Sequence, residues 1–177
     1  QRHRKFTAIA TLEALGGPMR IGIFADVHDH LDHLRQVVKR FNLEQVELVL
    51  FAGDLVSTIS VPPLRELQSP FIGCFGDNEG NKVGLKSGIR VVGQLSDPPV
   101  LLTTEDGTRI VLTHMKSQLR GLDSDFDVAI FGHTHKPRIQ CDDRGRLFIN
   151  PGETSGWSFG RATVAILDTL TRQVDII

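Results

Sequence analysis

Apolar runs and one amphipathic segment alternate along the first half of the chain. Residues 20–25, 46–52 and 71–75 are mostly apolar, and each run is followed by an aspartate or by Gly-Asp, as is typical of strands covered on both faces. Between the first two runs, residues 29–41 carry apolar side chains at helical spacing. These are Leu31, Leu34, Val37, Val38 and Phe41. The β–α–β–α–β order predicts a mostly parallel sheet with helical crossovers.

The second half of the chain changes to paired short strands. Each pair is separated by a polar turn, which predicts hairpins. The pairs are residues 100–104 with 108–113, 138–141 with 146–149, and 162–167 with 173–177. A single apolar run, residues 128–131, lies between the first two pairs. Hairpins after a crossover unit indicate a second sheet packed against the first, so we expect an α/β fold with two packed sheets.

The length of the chain bounds its organisation. At 177 residues it fits one compact domain with a core of its own. Residues 1–18 differ in character from the rest of the chain and end in Gly-Gly-Pro, just before Met19. We therefore expect an N-terminal extension over residues 1–18 and a single domain over residues 19–177. Whether the extension belongs to the natural chain is left open by the sequence.

Charge and cysteine content exclude several classes of protein. Lys and Arg total 20 against 21 Asp and Glu, so a general nucleic-acid binder with a basic surface is not expected. Cys74 and Cys141 are far apart, which argues against a disulfide or structural zinc site, and Cys74 lies in an apolar run where an inert buried thiol is expected. No apolar stretch reaches the roughly 20 residues of a membrane span. The first residues also lack the apolar core of a secretory signal, so we expect a cytoplasmic protein.

The chemistry-bearing residues follow the apolar runs. Three aspartates and four histidines occupy such positions: Asp26, Asp54, Asp77, His28, His114, His133 and His135. The carboxyl ends of strands are where α/β sheets place their ligand sites. Imidazole together with carboxylate suits Mn, Fe, Zn or Ni. Each residue alone has an ordinary explanation as a cap, a turn residue or a partly buried imidazole. Five strand ends that all finish in a possible metal ligand are hard to explain in that way.

The five segments, taken in order, resemble a known family. They are Asp26-x-His28, Gly53-Asp54, Gly76-Asp77-Asn78-Glu79, Thr113-His114 and Gly132-His133-Thr134-His135. This series is similar to the ordered motifs of calcineurin-like metallophosphoesterases, in particular the small single-domain phosphodiesterases of bacteria and archaea. A eukaryotic relative of that branch is the metallophosphoesterase-like subunit of retromer. The resemblance covers residues 19–177 and implies a four-layer α-β-β-α sandwich of two mixed β-sheets flanked by helices.

The resemblance also implies a ligand set for two divalent metal ions. The first ion would be held by Asp26, His28 and His135, and the second by Asp77, His114 and His133. Asp54 would bridge them. Manganese is the preferred ion, with Fe, Zn or Ni as alternatives. The family's reaction is attack of a metal-bridging hydroxide on a phosphate ester, and a diester is the expected substrate of this chain. The rival hypothesis is a non-catalytic protein-interaction scaffold of the same fold.

The chain departs from the family pattern at its third motif. Relatives usually have Asn directly after the glycine, whereas here Asp77 stands there and Asn78 comes next. A gapless alignment gives Asp77 to the second metal, and a one-residue bulge would present Asn78 instead. Asn78 also takes the place at which many relatives have a histidine near the leaving group, and an amide cannot donate an acidic proton. The final loop has Glu153 where relatives often have a small hydroxyl residue.

Several neighbouring residues are candidates for the substrate side of the site. His30 could face the phosphate, and Asn78 and His30 are the predicted catalytic side chains. Asn78 and Arg161 are the predicted substrate-binding ones. Asp29 is expected to cap the helix, and His33 is expected to be a solvated helix residue. Arg161 comes after an Asn-Pro-Gly turn together with Trp157 and Phe159, which form a substrate wall or simply pack.

Overall fold

A computed structural model of the chain describes residues 9–11, 17–122 and 125–177. The described residues form twelve strands and three α-helices. The strands are β1 (Ile9–Thr11), β2 (Arg20–Phe24), β3 (Leu48–Phe51), β4 (Phe71–Cys74), β5 (Gly93–Ser96), β6 (Val100–Thr103), β7 (Arg109–Leu112), β8 (Val128–Ile130), β9 (Arg138–Cys141), β10 (Leu147–Asn150), β11 (Ala165–Asp168) and β12 (Val174–Ile176). The α-helices are α1 (Leu31–Leu43), α2 (Val61–Leu64) and α3 (Lys82–Ile89), and two 3-10 helices span Thr58–Ser60 and Lys116–Leu119.

The first sheet has the strand order β12-β11-β2-β3-β4-β5. Strands β2 to β5 pair in parallel, and β11 and β12 complete the sheet as antiparallel strands. The parallel sheet predicted from the apolar runs is confirmed. In its register Ile23 lies opposite Leu50, so the segments after β2 and β3 leave the sheet at the same edge.

The second sheet has the strand order β1-β6-β7-β8-β10-β9. The predicted hairpins β6–β7 and β9–β10 are antiparallel pairs of this sheet. The third predicted hairpin, β11–β12, is also an antiparallel pair, but it joins the first sheet and not the second, because β11 pairs with β2. Strand β1 was not predicted. It lies within residues 1–18 and pairs in parallel with β6 at the edge of the sheet. Most of the remainder of that segment lies outside the described residues.

Two apolar layers hold these elements together. One lies between the sheets and includes Ile23, Leu50 and Ile130. The other packs the three helices on the outer face of the first sheet and includes Phe24 and Phe41. These layers confirm the predicted α/β fold of two packed mixed sheets. In the part of the chain that the structure describes, the outer face of the second sheet is covered by the 3-10 helix Lys116–Leu119 and the segment around Phe126.

Helix α1 begins differently from the prediction. The cap is His30, whose ring nitrogen Nδ1 accepts the backbone N–H of His33. The prediction that Asp29 caps the helix is wrong, because its carboxylate instead accepts hydrogen bonds from the Ser57 backbone N–H and the Ser60 hydroxyl. Asp29 therefore ties the start of α1 to the segment after β3. As for membrane insertion, none of the helices in the described ranges is long and apolar enough to cross a bilayer.

Candidate metal centre

The predicted ligands are presented by backbone in a rarely used conformation. Asp26, His28, Asp54, His133 and His135 all have positive φ angles, between 45° and 69°. Non-glycine residues rarely adopt the left-handed region, because the Cβ atom crowds the backbone there. Such strain persists only where the surrounding structure enforces it, and it gathers at functional sites. Here it gathers at the carboxyl edge of the first sheet and at the loop after β8.

Asp26, His28 and His135 form the first group of possible ligands. One donor atom from each lies within 4.8 Å of the others. Nε2 of His135 is 3.5 Å from Asp26 Oδ1, and Nε2 of His28 is 3.9 Å from the same oxygen. Asp26 itself is fully buried. One carboxylate and two imidazoles thus converge on a common point.

Asp77, His114 and His133 form the second group, again within 4.8 Å of one another. Asp77 Oδ1 lies 2.7 Å from Nε2 of His114 and 3.3 Å from Nδ1 of His133. Asn78 is not turned toward these imidazoles. Its amide donates to Asp54 Oδ2 at 2.7 Å, and its backbone N–H donates to Asp54 Oδ1 at 2.9 Å. Asp77 is therefore the residue of this pair that lies next to both imidazoles, and its role as a ligand stays a prediction.

Asp54 lies between the two groups. Its Oδ2 is 3.5 Å from Nε2 of His28 and 3.4 Å from Nε2 of His114. Two glycines allow this close approach. A Cβ atom on Gly76 would lie 2.0 Å from Asp54 Oδ1, and one on Gly53 would lie 2.5 Å from Nδ1 of His114. The Gly-Asp pairs of the second and third motifs are therefore required by the packing of the site.

The imidazole donors are oriented as metal ligands. Nδ1 of His114 is 2.7 Å from the carbonyl oxygen of Ala52, so Nδ1 carries a hydrogen and Nε2 faces the carboxylates. Nε2 of His28 and Nε2 of His114 are both buried. Their nearest carboxylate oxygens are 3.5 Å and 2.7 Å away, but among the described residues neither atom makes a hydrogen bond of acceptable geometry. Buried polar atoms normally have a partner. A divalent cation among these carboxylates would supply it, so the donors present fit metal ions.

The pKa values of the buried groups also indicate that this cluster of carboxylates favours a bound positive charge. Burial raises the pKa of Asp26 to about 7, although His114 and His135 work in the opposite direction. Burial alone would lower the pKa of His114, but the neighbouring Asp54 carboxylate outweighs it and raises that pKa to about 9. The pKa of Asp54 is lowered despite burial, because His114 and Asn78 stabilise its charge. Without metal, a proton thus takes the place of a cation in this cluster.

Two glutamates that the sequence did not identify as part of the site hold its loops. Glu153 is only 1% exposed, and its Oε2 accepts from Nδ1 of His135 at 2.8 Å, which leaves Nε2 to face Asp26. Glu79 accepts the backbone N–H groups of Asp54 and Gly76, so it joins the second and third motifs. In the sequence, these two glutamates could have been identified only by their position inside a motif loop. The pairing itself depends on the fold.

The candidate substrate residues lie to one side of this cluster. His30 stacks on His33 with ring centroids 3.7 Å apart, and Trp157 lies 4.6 Å from His30. The prediction that His33 is a solvated helix residue is wrong, because its Nδ1 is within 3.1 Å of the backbone carbonyls of Thr154 and Ser155. The structure places Arg161 on the exposed loop after Gly156, and its role at the substrate stays a prediction.

Comparison with known proteins decides the family. The profile of the calcineurin-like phosphoesterase superfamily domain matches residues 19–172. The chain belongs to this superfamily. A phosphodiesterase of Methanocaldococcus jannaschii is 35% identical over 159 residues, which cover 85% of this chain and 93% of that protein. The solved structure of an archaeal phosphodiesterase has a TM-score of 0.82 at 34% identity, over 90% of this chain and 99% of that one.

A more distant solved structure shares the fold. Vps29 of Entamoeba histolytica, solved in complex with Zn²⁺, has a TM-score of 0.60 at 19% identity, over 90% of this chain and 97% of that one. At that identity the likeness shows the fold alone. The family match and the phosphodiesterase relatives confirm the predicted class of enzyme, a metal-dependent hydrolase of phosphate esters.

Proposed function

We propose that this calcineurin-like phosphoesterase is a phosphodiesterase that uses two divalent metal ions. Asp26, His28 and His135 would hold the first ion. Asp77, His114 and His133 would hold the second, and Asp54 would contact both. The position of Asp54 Oδ2, 3.5 Å from one group's imidazole and 3.4 Å from the other's, is the observation that carries the proposal. A single carboxylate that lies between two complete sets of donors is what a two-ion site requires.

The proposed reaction depends on two divalent ions, and the protein has to hold both of them in place. Two divalent ions in such a site acidify a bound water and offset the charge that develops on the phosphate. Manganese is the proposed ion, and Fe, Zn and Ni suit the same mixture of imidazole and carboxylate. The left-handed backbone of Asp26, His28 and Asp54 holds these side chains in place before the substrate arrives.

Asn78 and His30 are the proposed catalytic side chains next to the ligands. Asn78 positions Asp54 through two hydrogen bonds, and this role is better supported than a contact with the phosphate. Because Nδ1 of His30 accepts the N–H of His33, a neutral His30 carries its hydrogen on Nε2. That N–H is available as a donor. With an amide at position 78 and no acidic donor there, the enzyme should favour esters with acidic leaving groups.

A diester is the proposed substrate because of the charge of the site. Asp26, Asp54 and Asp77 all belong to the cluster of possible metal ligands at which the phosphate would bind, and Glu153 lies behind His135. A dianionic monoester adds one more negative charge there than a diester does, and charges this close are weakly screened. A small phosphate ester is the proposed partner, with no general nucleic-acid binding, and a cytoplasmic location stays a prediction.

Hydrolysis of two aryl phosphates tests the proposal. The manganese-loaded enzyme should turn over bis(p-nitrophenyl) phosphate with a higher kcat/KM than p-nitrophenyl phosphate, and a chelator should abolish both activities. Asp54→Ala should lose activity by at least about 100-fold. Asp143→Ala, which removes an exposed carboxylate from the β9–β10 turn, is the matched control and should keep the wild-type rate.

Three results would contradict the proposal. Chelator-insensitive hydrolysis would exclude a metal-dependent reaction, and a wild-type rate in Asp54→Ala would exclude the bridging role. Faster turnover of the monoester would overturn the diester assignment. Metal binding without turnover of either ester would favour the protein-interaction scaffold instead.

A further inference from the structure

An exposed tryptophan lies beside the metal centre. The Trp157 side chain is 66% exposed, and Phe159 two residues later is 54% exposed. Both come after Glu153 in the same loop. Large aromatic side chains on a surface lose the apolar burial that normally stabilises them, so a rigidly held exposed ring next to an active site suggests a role in binding.

Trp157 is fixed in place rather than free. Its indole Nε1–H donates to the backbone carbonyl of His28 at 3.4 Å. The ring of His30 covers part of it, with centroids 4.6 Å apart and an interplanar angle of 37°. His30 in turn is stacked on His33 at 3.7 Å with an interplanar angle of 3°. The two carbonyls that contact His33 belong to Thr154 and Ser155, in the same loop as Trp157.

These contacts connect the loop that carries Trp157 with the start of α1 at several points. His30 and His33 stack in parallel, and Trp157 packs on His30 at a tilt; we call these three side chains the aromatic stack. His33 anchors it at the inner end, and the indole forms its exposed outer end. A plain packing role would bury the outermost ring, yet two thirds of Trp157 is open to solvent.

The aromatic stack contacts the segment that carries a proposed metal ligand. Trp157 is hydrogen-bonded to the backbone of His28, whose Nε2 is one of the two buried imidazole atoms that face the carboxylates. This contact places the indole beside the segment whose His28 side chain belongs to the first group of possible ligands. Flat aromatic groups stack on exposed indole rings in a way that tolerates many ring types.

We propose that the outer face of Trp157 binds a planar aromatic ring of the substrate, either an aryl group or a nucleobase, attached to the phosphate that lies at the metal centre. This inference rests on the proposed phosphodiesterase function, since it names the substrate class of the same site. Trp157 acts as a specificity-determining residue. Toward this aromatic ring, His30 and His33 are positioning residues, because they hold the indole and do not contact the ring themselves; the proposed role of His30 at the phosphate is separate.

Trp157 fluorescence provides a direct test of binding. The chain contains one Trp and no Tyr, so its tryptophan emission reports on this side chain alone. The manganese-loaded protein is titrated with two pairs of phosphates that differ only in the ring: phenyl phosphate against ethyl phosphate, and adenosine 5′-monophosphate against ribose 5-phosphate. The aromatic member of at least one pair should quench the emission and bind at least about fivefold more tightly by calorimetry. The pair that shows this preference distinguishes an aryl group from a nucleobase.

Substitutions separate stacking from structural support. Trp157→Ala should remove the preference for the aromatic member, measured by calorimetry as the ratio of the two affinities, and Trp157→Phe should keep most of it. Leu170→Ala is the matched control, because it removes another exposed apolar side chain at the far end of β11 and should leave the ratio unchanged. The hydrolysis of bis(p-nitrophenyl) phosphate by the same preparations reports separately on the proposed function.

Four results would overturn the inference. Equal affinities within both pairs in the wild-type protein would show that the ring is not recognised. A preference that survives in Trp157→Ala would place the ring elsewhere. An equal loss of affinity for all four ligands would assign Trp157 a structural role. Emission that changes with protein concentration instead of ligand would show that the surface joins two copies of the chain.

Discussion

Replacing Glu153 with glutamine keeps the size of the side chain but removes the carboxylate that orients His135, one of the proposed metal ligands. The carboxylate is buried and accepts hydrogen bonds from Nδ1 of His135, the Ser155 hydroxyl and the backbone N–H groups of Ser158 and Phe159. Burial alone would raise the pKa of Glu153, but these donors outweigh it and lower the pKa to about 2. The side chain is therefore an ionised acceptor at neutral pH, with both oxygens in use.

The loss of stability in Glu153→Gln depends on which atoms donate these hydrogen bonds. A glutamine amide must place its NH₂ at one of the two oxygen positions, and both positions face N–H donors. At least one buried donor then loses its acceptor, which costs about 1–3 kcal/mol of folding free energy. For a chain of this size that corresponds to a fall in melting temperature of roughly 2–12 °C. Loss of a group that orients a ligating histidine typically weakens metal binding by about 10–100-fold.

Manganese titration by calorimetry and kcat/KM for bis(p-nitrophenyl) phosphate measure the effect of Glu153→Gln. We expect weaker binding of one ion and activity that returns in part at high metal concentration, because the ligands themselves are intact. Glu66→Gln, at an exposed position after α2, is the matched control. Wild-type affinity for both ions in Glu153→Gln would refute the orienting role, even if the variant were less stable.

The remaining predictions concern the second ion, pH and the N-terminal segment. Asp77→Asn should weaken binding of the second ion and keep the fold, as measured by calorimetry and thermal melting; loss of metal in Asn78→Ala with Asp77→Asn silent would show that the alignment is wrong by one residue. Because the pKa of Asp26 is raised to about 7 and that of His114 to about 9, both groups must lose a proton to bind metal. Apparent affinity should therefore rise with pH up to about 9, by up to about tenfold per pH unit for each group that titrates, and a pH-independent affinity would contradict this. Removal of residues 1–18 deletes β1 but none of the proposed ligands, so hydrolysis should be unchanged. A fall in melting temperature of more than about 8 °C would show that the segment is integral to the domain.

The elements that sequence patterns predicted are those with a strong local signal. Strands β2, β3 and β4 lie in continuous, mostly apolar runs, and α1 carries apolar residues on one face. Strand β5 and helix α3 were not predicted. Strand β5 has the sequence Gly-Gln-Leu-Ser, in which only Leu95 is buried, and α3 contains two glycines. These elements form because the edge of the sheet offers them backbone partners and a surface to pack on.

In the site, too, features with a local sequence signal were predicted and features that depend on tertiary contacts were not. The convergence of the ligands was predicted, because parallel strands deliver their carboxyl ends to one edge of the sheet. The contacts that orient those ligands were not. Glu153 reaches His135, and His33 reaches Thr154 across 121 positions of sequence. Asp29 does not cap α1 because its backbone turns left-handed, with φ at 55°, and directs the carboxylate elsewhere. Such contacts depend on the tertiary fold and leave no periodic trace in the sequence.

The central claim is that Asp54 joins two metal ions, and anomalous X-ray diffraction from manganese-soaked crystals tests it most directly. We expect two anomalous peaks per chain. One should lie among Asp26, His28 and His135 and the other among Asp77, His114 and His133, with Asp54 in contact with both. A single peak, or two peaks of which only one touches Asp54, would contradict the bridging role of this carboxylate.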